Sequence, residues 1–142
     1  MSGPEVIDGP TQSGLPGSGP LLEVADVATS FRSPRGLVRA VDGVSFTLER
    51  GQCLGIVGES GSGKSVLSRS IMGLLPSTAE RSGRVTFEGR DISELSSEGY
   101  RELWGTEMAM VFQDPMTALN PVMKVGNQIT ESLRYHLDMD KS

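Results

Sequence analysis

The sequence predicts an α/β fold, and three adjoining stretches predict it. Residues 53–57, CLGIV, form a short all-apolar run between Gly51 and Gly58, the pattern of a strand buried on both faces. A glycine-rich loop, GESGSGKS, follows at residues 58–65. The next stretch, KSVLSRSIMGLLP, sets Leu67, Ile71, Leu74 and Leu75 at i, i+4, i+7 and i+8, the apolar stripe of a helix, with Pro76 as its stop. A buried strand that delivers a loop to a helix is the building unit of α/β architecture.

The remaining elements can be read in chain order. Residues 1–20 carry five Gly and four Pro with no apolar period and read as a disordered N-terminal tail, leaving 21–142 as one folded domain. LLEVADVATSF is β-branched and partly alternating, a strand; LVRAVDGVSFTLE reads as two short strands with a turn at Asp42-Gly43. After the helix, GRVTFEGRDI alternates like an exposed strand and turns at Glu88-Gly89. SSEGYRELWG has the serine start and late glycine of a short helix, and MAMVF reads as a second buried strand. A polar loop with two prolines, QDPMTALNP, leads to a last helix in GNQITESLRYHL, where Ile129, Leu133 and Leu137 recur at i, i+4 and i+8.

Composition narrows the function classes. The 142 residues hold 37% apolar and 22% charged side chains, as an ordinary globular domain does, and the formal net charge is −5. With 13 scattered Lys and Arg, the chain has no basic stripe for a phosphate backbone, so nucleic acid is not an expected partner. A small anion needs only one local positive site. Cys53, the single cysteine, excludes an internal disulfide and, lying in CLGIV, reads as an inert buried thiol. No run approaches the length of a membrane span, and the N-terminus lacks the basic start and apolar segment of a signal peptide, so a cytoplasmic protein with at most a peripheral membrane role is expected.

The loop itself carries the most specific chemistry. Gly58, Gly63, Lys64 and Ser65 satisfy G-x-x-x-x-G-K-[S/T], the phosphate-binding P-loop pattern, between a strand and a helix as its mechanism requires. Across Gly58, Glu59, Ser60, Gly61, Ser62 and Gly63, the glycines let backbone N–H groups turn toward phosphate oxygens, and the following helix adds the positive end of its dipole. Lys64 would reach the β- and γ-phosphates, and the Ser65 hydroxyl would ligate Mg²⁺. A dinucleotide fingerprint is excluded, since Val66 stands where a third glycine would be needed after Gly61-Ser62-Gly63.

Three longer stretches decide among P-loop proteins. VRAVDGVSFTLERGQCLGIVGESGSGKSVLSRSIMGLLP, GRVTFEGRDI and above all MAMVFQDPMTALNPVMKVGNQITESL resemble the ATP-binding cassette (ABC) ATPases of dipeptide, oligopeptide and nickel importers, over roughly Leu21 to Leu137. The resemblance implies a P-loop NTPase core of RecA-like type, led by an antiparallel β subdomain, with ATP and Mg²⁺ as cofactors. It places Gln113 at the glutamine that senses Mg²⁺ and the attacking water and contacts membrane subunits; the plain alternative is a solvated loop glutamine. It places Phe31 at the aromatic that stacks on adenine, against the alternative of a core or edge-strand phenylalanine. Asp114 is not the metal ligand of a Walker B strand, because Gln113 intervenes and Pro115 occupies the place of a catalytic Glu. His136 is read as a solvent-facing residue of the last helix.

The family's signature motif, Walker B carboxylates and switch histidine have no match here. The sequence therefore resembles the N-terminal part of a cassette, ending before the signature helical subdomain is complete, an ATPase by kinship that is not expected to turn over alone. The partners implied are transmembrane permease subunits, a second ABC ATPase subunit in a homo- or heterodimer, and indirectly an extracellular solute-binding protein, with the chain at the cytoplasmic face of the membrane. A non-hydrolysing nucleotide-binding or decoy module, or a soluble ABC protein outside transport, are the competing readings.

Overall fold

The computed structural model describes residues 5–7, 19–113 and 119–137, without the side chains of 5–7, 132, 133 and 135–137. Two compact units divide the chain, Met1–Leu95 and Ser96–Ser142. The first is built on an antiparallel sheet of strands β2 (Leu22–Ser33), β3 (Gly36–Leu48), β5 (Ala79–Phe87) and β6 (Arg90–Asp91), in the order β3-β2-β5-β6. Helix α1 (Lys64–Ile71) packs on β2 and β3. A separate two-stranded sheet pairs β1 (Glu5–Ile7) with β4 (Gly55–Val57).

The core of this unit lies between the four-stranded sheet and α1. Val27, Val85 and Leu67 have no exposed surface, and Val24, Val41 and Ile71 have almost none. Each such side chain contributes about 1.5–3 kcal/mol by leaving water. The strand predicted from GRVTFEGRDI is present, and the alternation of β5 serves this core through Val85 and Phe87. Its turn falls where expected, with Glu88 and Gly89 at φ 50 and 79°, the two left-handed residues of a tight hairpin.

Several expectations are corrected. LVRAVDGVSFTLE is one strand, not two: the chain reverses at Pro34-Arg35, between the paired Ser33 and Gly36, whereas Asp42-Gly43 forms a bulge. A turn signal is also a bulge signal when the chain on both sides keeps its pairing. Helix α1 stops a turn before Pro76, because Gly73 (φ 67°) closes it. Leu74 N donates to Arg69 O at 2.8 Å and Gly73 N to Ser70 O at 3.4 Å, the paired bonds of a glycine C-cap. CLGIV is not buried on both faces. β4 is half-buried to exposed, Val57 keeps 44% of its surface, and Cys53 is exposed rather than buried. Its one strand partner among the described residues is β1, which leaves apolar side chains uncovered. That same pairing corrects the tail, since Glu5–Ile7 form β1 within residues 1–20; residues 1–4 and 8–18 lie outside those described.

The second unit contains α2 (Ser97–Leu103) and α3 (Val125–Leu137). The expected serine start of α2 is Ser96, whose Oγ accepts from Gly99 N at 3.2 Å. MAMVF does not form the predicted strand. Beyond an isolated bridge between Trp104 and Met108, no strand pairs with it among the described residues, and Val111 is 96% exposed. An apolar run becomes a strand only where a neighbour accepts its backbone bonds. In α3, Ile129 is exposed, and the side chains of Leu133, His136 and Leu137 lie outside the described residues.

Two outcomes are expected from this architecture. Gly83 (φ 88°) lies opposite the β2 bulge, where a Cβ would stand 2.3 Å from Asp26 O, so Gly83→Ala should destabilise the chain by about 2–4 kcal/mol in urea unfolding. Asp91 is held below the ordinary carboxylate range by hydrogen bonds from Ser93, side chain first and then backbone; burial opposes them in part, and Arg84 and Arg81 add weaker attractions. Its stabilising contribution is complete above about pH 4 and is lost as pH falls through the lowered folded value. Asp91→Asn should flatten the acid limb of the stability curve and leave the neutral-to-alkaline side with the same slope.

Candidate functional site

The site grows from the end of β4. Past Val57 the chain leaves the strand, runs through Gly58–Gly63 and enters α1 at Lys64. Gly63 is the N-cap, in the left-handed region at φ 94°, ψ 2°, and caps with no side-chain hydrogen bond. Its conformation brings the loop against β3: a Cβ on Gly63 would lie 2.0 Å from Ala40 O and 3.6 Å from Val41 Cγ2. Only glycine satisfies both the backbone angle and the approach.

Lys64 folds back over the loop. Its Nζ donates to Gly58 O and Glu59 O, each at 2.7 Å, and lies 3.4 Å from Ser62 Oγ. Ser62 is buried and its N–H donates to Glu59 O at 3.2 Å, so the same carbonyl accepts from the loop backbone and from the ammonium. The loop thus holds a cation on its own carbonyls before any ligand is considered.

The start of α1 suits an anion. No acidic residue lies in its first turn and no side chain caps it, so the N–H groups there keep donor capacity beside the positive end of the helix dipole. The intrahelical ladder begins with Leu67 N to Gly63 O at 2.8 Å. Ser65 is exposed, which leaves its hydroxyl accessible for a cation that accompanies phosphate. A phosphate group and Mg²⁺ fit this donor set: a glycine-walled loop, an ammonium, uncapped amides and one hydroxyl.

The residues singled out from sequence separate into two groups. Gly58, Glu59, Ser60, Gly61, Ser62, Gly63, Lys64 and Ser65 come together in one loop. Phe31 is half-buried on β2, opposite Val38 of β3 and Ala79 of β5; Val38 is two residues from Ala40, where the loop touches the sheet. Gln113 is exposed at a bend in the second unit, and Asp114 and Pro115 lie outside the described residues. Sequence reasoning missed Ala40, because its contribution is a carbonyl and no side-chain pattern marks it. It also missed Ser70, which was legible as a polar residue three positions after Leu67 on the buried stripe of α1.

Known proteins resemble this chain in sequence and in fold. A protein-family model described as ABC transporter matches residues 41–141. The oligopeptide transport ATP-binding protein OppD of Bacillus subtilis (strain 168) is 51% identical over 123 residues, 85% of this chain and 34% of the relative. OppD of Haemophilus influenzae is 45% identical over 122 residues, 86% of this chain and 38% of the relative. The dipeptide transport ATP-binding protein DppD of Bacillus subtilis is 49% identical, covering 85% and 37%. The chain therefore spans a little over a third of the length of these curated relatives. Among solved structures, the dimeric structure of MJ0796, a bacterial ABC transporter cassette, matches with a TM-score of 0.71 at 20% identity, over 85% of this chain and 50% of that one. A likeness at that identity is one of fold, and it bears out the expected cassette architecture.

Two glycines of the loop should respond differently to the same change. Gly61 (φ 81°) has nothing within 4 Å of an added methyl, whereas Gly63 meets the Ala40 carbonyl. Gly61→Ala should cost about 1 kcal/mol, the backbone strain alone, and Gly63→Ala at least about 2–4 kcal/mol, both read from urea midpoints.

Proposed function

Because the chain belongs to the ABC transporter family, we propose that it is an ATP-binding portion of the ATPase subunit of an importer for dipeptides, oligopeptides or a related solute. The observation that carries this reading is the Gly58–Ser65 loop, with Lys64 held at its centre and uncapped amides at the start of α1. The names of the relatives supply the solute class.

In this reading the nucleotide's phosphates lie over the loop. Lys64 exchanges its bonds to Gly58 O and Glu59 O for the β- and γ-phosphate oxygens, which compensate its charge better than carbonyls do. The amides of Gly61 through Ser65 hold the β-phosphate, and the Ser65 hydroxyl serves as one ligand of Mg²⁺. Mg²⁺, when bound, neutralises charge developing on the transferred phosphoryl group. Phe31 offers a ring face for adenine, supported by its place one strand from the loop's contact with β3. Gln113 is assigned to the cation and the attacking water by its match to the family's glutamine, and its exposure suits that role. Lys64 and Gln113 are the catalytic residues proposed on this chain.

The assembly follows the family's logic. A second ATPase subunit would complete each nucleotide site, permease subunits would take up the closure as a conformational change, and an extracellular binding protein would present the solute. No helix among the described residues is long and apolar enough to cross a membrane. A peripheral position at the cytoplasmic face, reached through its partners, is part of the same proposal and is supported by the names of the relatives, ATP-binding proteins of transport.

Mg·ATP binding to the chain, with phosphate release followed on the same samples, tests the proposal. Lys64→Ala removes a charged donor and should weaken binding by about 10- to 100-fold with little change in thermal stability. Equal affinity in the two proteins would remove the loop from the nucleotide site.

A further inference from the structure

Helix α1 carries the phosphate loop at one end, and a polar clamp that its apolar pattern does not require holds the other. Of its three buried residues, Leu67, Ser70 and Ile71, the middle one is a serine with no exposed surface. Ser70 Oγ donates to Val66 O at 2.7 Å and lies 2.7 Å from Thr29 Oγ1, on β2. With its single proton given to the carbonyl, Ser70 accepts from Thr29, which is also wholly buried. Directly opposite Thr29 in the β2–β5 register stands Arg81. One terminal nitrogen of its guanidinium donates to Ser70 O at 2.7 Å, and the other to Ser93 O at 2.8 Å. Facing residues on neighbouring strands thus take hold of the same helical residue, one by its hydroxyl and the other by its carbonyl.

Such an arrangement fixes what apolar packing leaves loose. Burial of Leu67 and Ile71 is non-directional and tolerates small rotations of the helix about its axis, whereas hydrogen bonds with set lengths and angles do not. Ser70 O needs the contact, because its bond from Gly73 N is long at 3.4 Å, and a guanidinium beside the last turn also balances the negative end of the helix dipole. Lys64 and Ser65 ride on the same eight-residue helix, about 8–9 Å along the axis from Ser70. A rotation allowed at Ser70 is delivered to the loop, where binding groups must be held to about 0.5 Å.

We infer that Thr29, Ser70 and Arg81 are positioning residues for the phosphate site, setting the rotation of α1 and hence the aim of Lys64 and Ser65 without touching the ligand. This rests on the nucleotide reading above for its functional meaning, though its geometric content stands in the ligand-free chain.

The test compares Arg81→Gln, Arg81→Lys and the pair Thr29→Val with Ser70→Ala, which removes both partners of the buried bond and leaves no orphaned hydroxyl. Backbone amide resonances of Gly61, Gly63 and Lys64 are recorded without ligand, Mg·ATP affinity is measured by titration, and melting is followed on the same samples. Displaced loop resonances and an affinity lowered about tenfold in Arg81→Gln, in part restored by Arg81→Lys, are expected while cooperative melting persists. A lower melting temperature with loop resonances and affinity unchanged would overturn the inference, leaving the clamp a matter of stability. Should Arg81→Gln fail to fold, the Thr29→Val and Ser70→Ala pair decides the matter by the same two readouts. If the wild-type chain binds no Mg·ATP in a Lys64-dependent way, the nucleotide reading fails, while the ligand-free resonances still decide whether the clamp aims the loop.

Discussion

The carbonyl of Ala40 reaches so close to Gly63 that a side chain there would overlap it, and much of the molecule is arranged around that approach. It joins the glycine loop to β3, and through β3 to the antiparallel sheet, at the point where the backbone must turn left-handed to begin α1. The loop is therefore not a flexible lasso but a segment braced on a sheet wall. The helix that follows inherits its position from that brace at one end and from its packing on β2 and β3 along its length. Lys64 completes the arrangement by binding the loop's own carbonyls, so the loop is tied together before a ligand reaches it. A preformed anion site spares the ligand the entropy of ordering the loop.

What the sequence made legible divides along physical lines. The loop, α1 and the Glu88-Gly89 hairpin depend on local chemistry: glycines for left-handed angles, apolar spacing for a helical stripe, a tight two-residue turn. These were readable from neighbouring residues. The single strand β3 was not, because Asp42-Gly43 looks the same in a turn and in a bulge, and only the continued pairing with β2 distinguishes them. CLGIV and MAMVF were misread for a related reason. Apolar content says that a segment prefers burial, but the strand partners that would bury it are named nowhere in its own residues. Of the site, the phosphate loop was readable by motif, and Phe31 and Gln113 only through kinship. The wall at Ala40 is a main-chain contact between residues far apart in sequence and left no trace.

Polar residues inside the first unit perform a task that its apolar residues cannot. Val27, Val85 and Leu67 supply driving force, yet a core of such residues accepts several near-equivalent helix placements. Thr29 and Ser70 narrow the choice, and Arg81 extends the constraint across β5 to Ser93. A fully satisfied buried network of this kind is costly to disturb by halves, which favours its loss or retention as a set. Stability and aim are thereby assigned to different side chains within one small layer of structure.

The pairing of β1 with β4 has a practical side for anyone handling this protein. The strands are antiparallel with Glu5 opposite Val57, so the end of β1 from which an N-terminal extension departs lies beside the end of β4 that leads into Gly58. A purification tag or fluorescent fusion joined directly ahead of β1 is consequently tethered close to the phosphate loop, where a polyhistidine stretch would bring metal affinity and added charge to the site under study. Cleavage of such a tag before any nucleotide titration becomes a condition of reading the result.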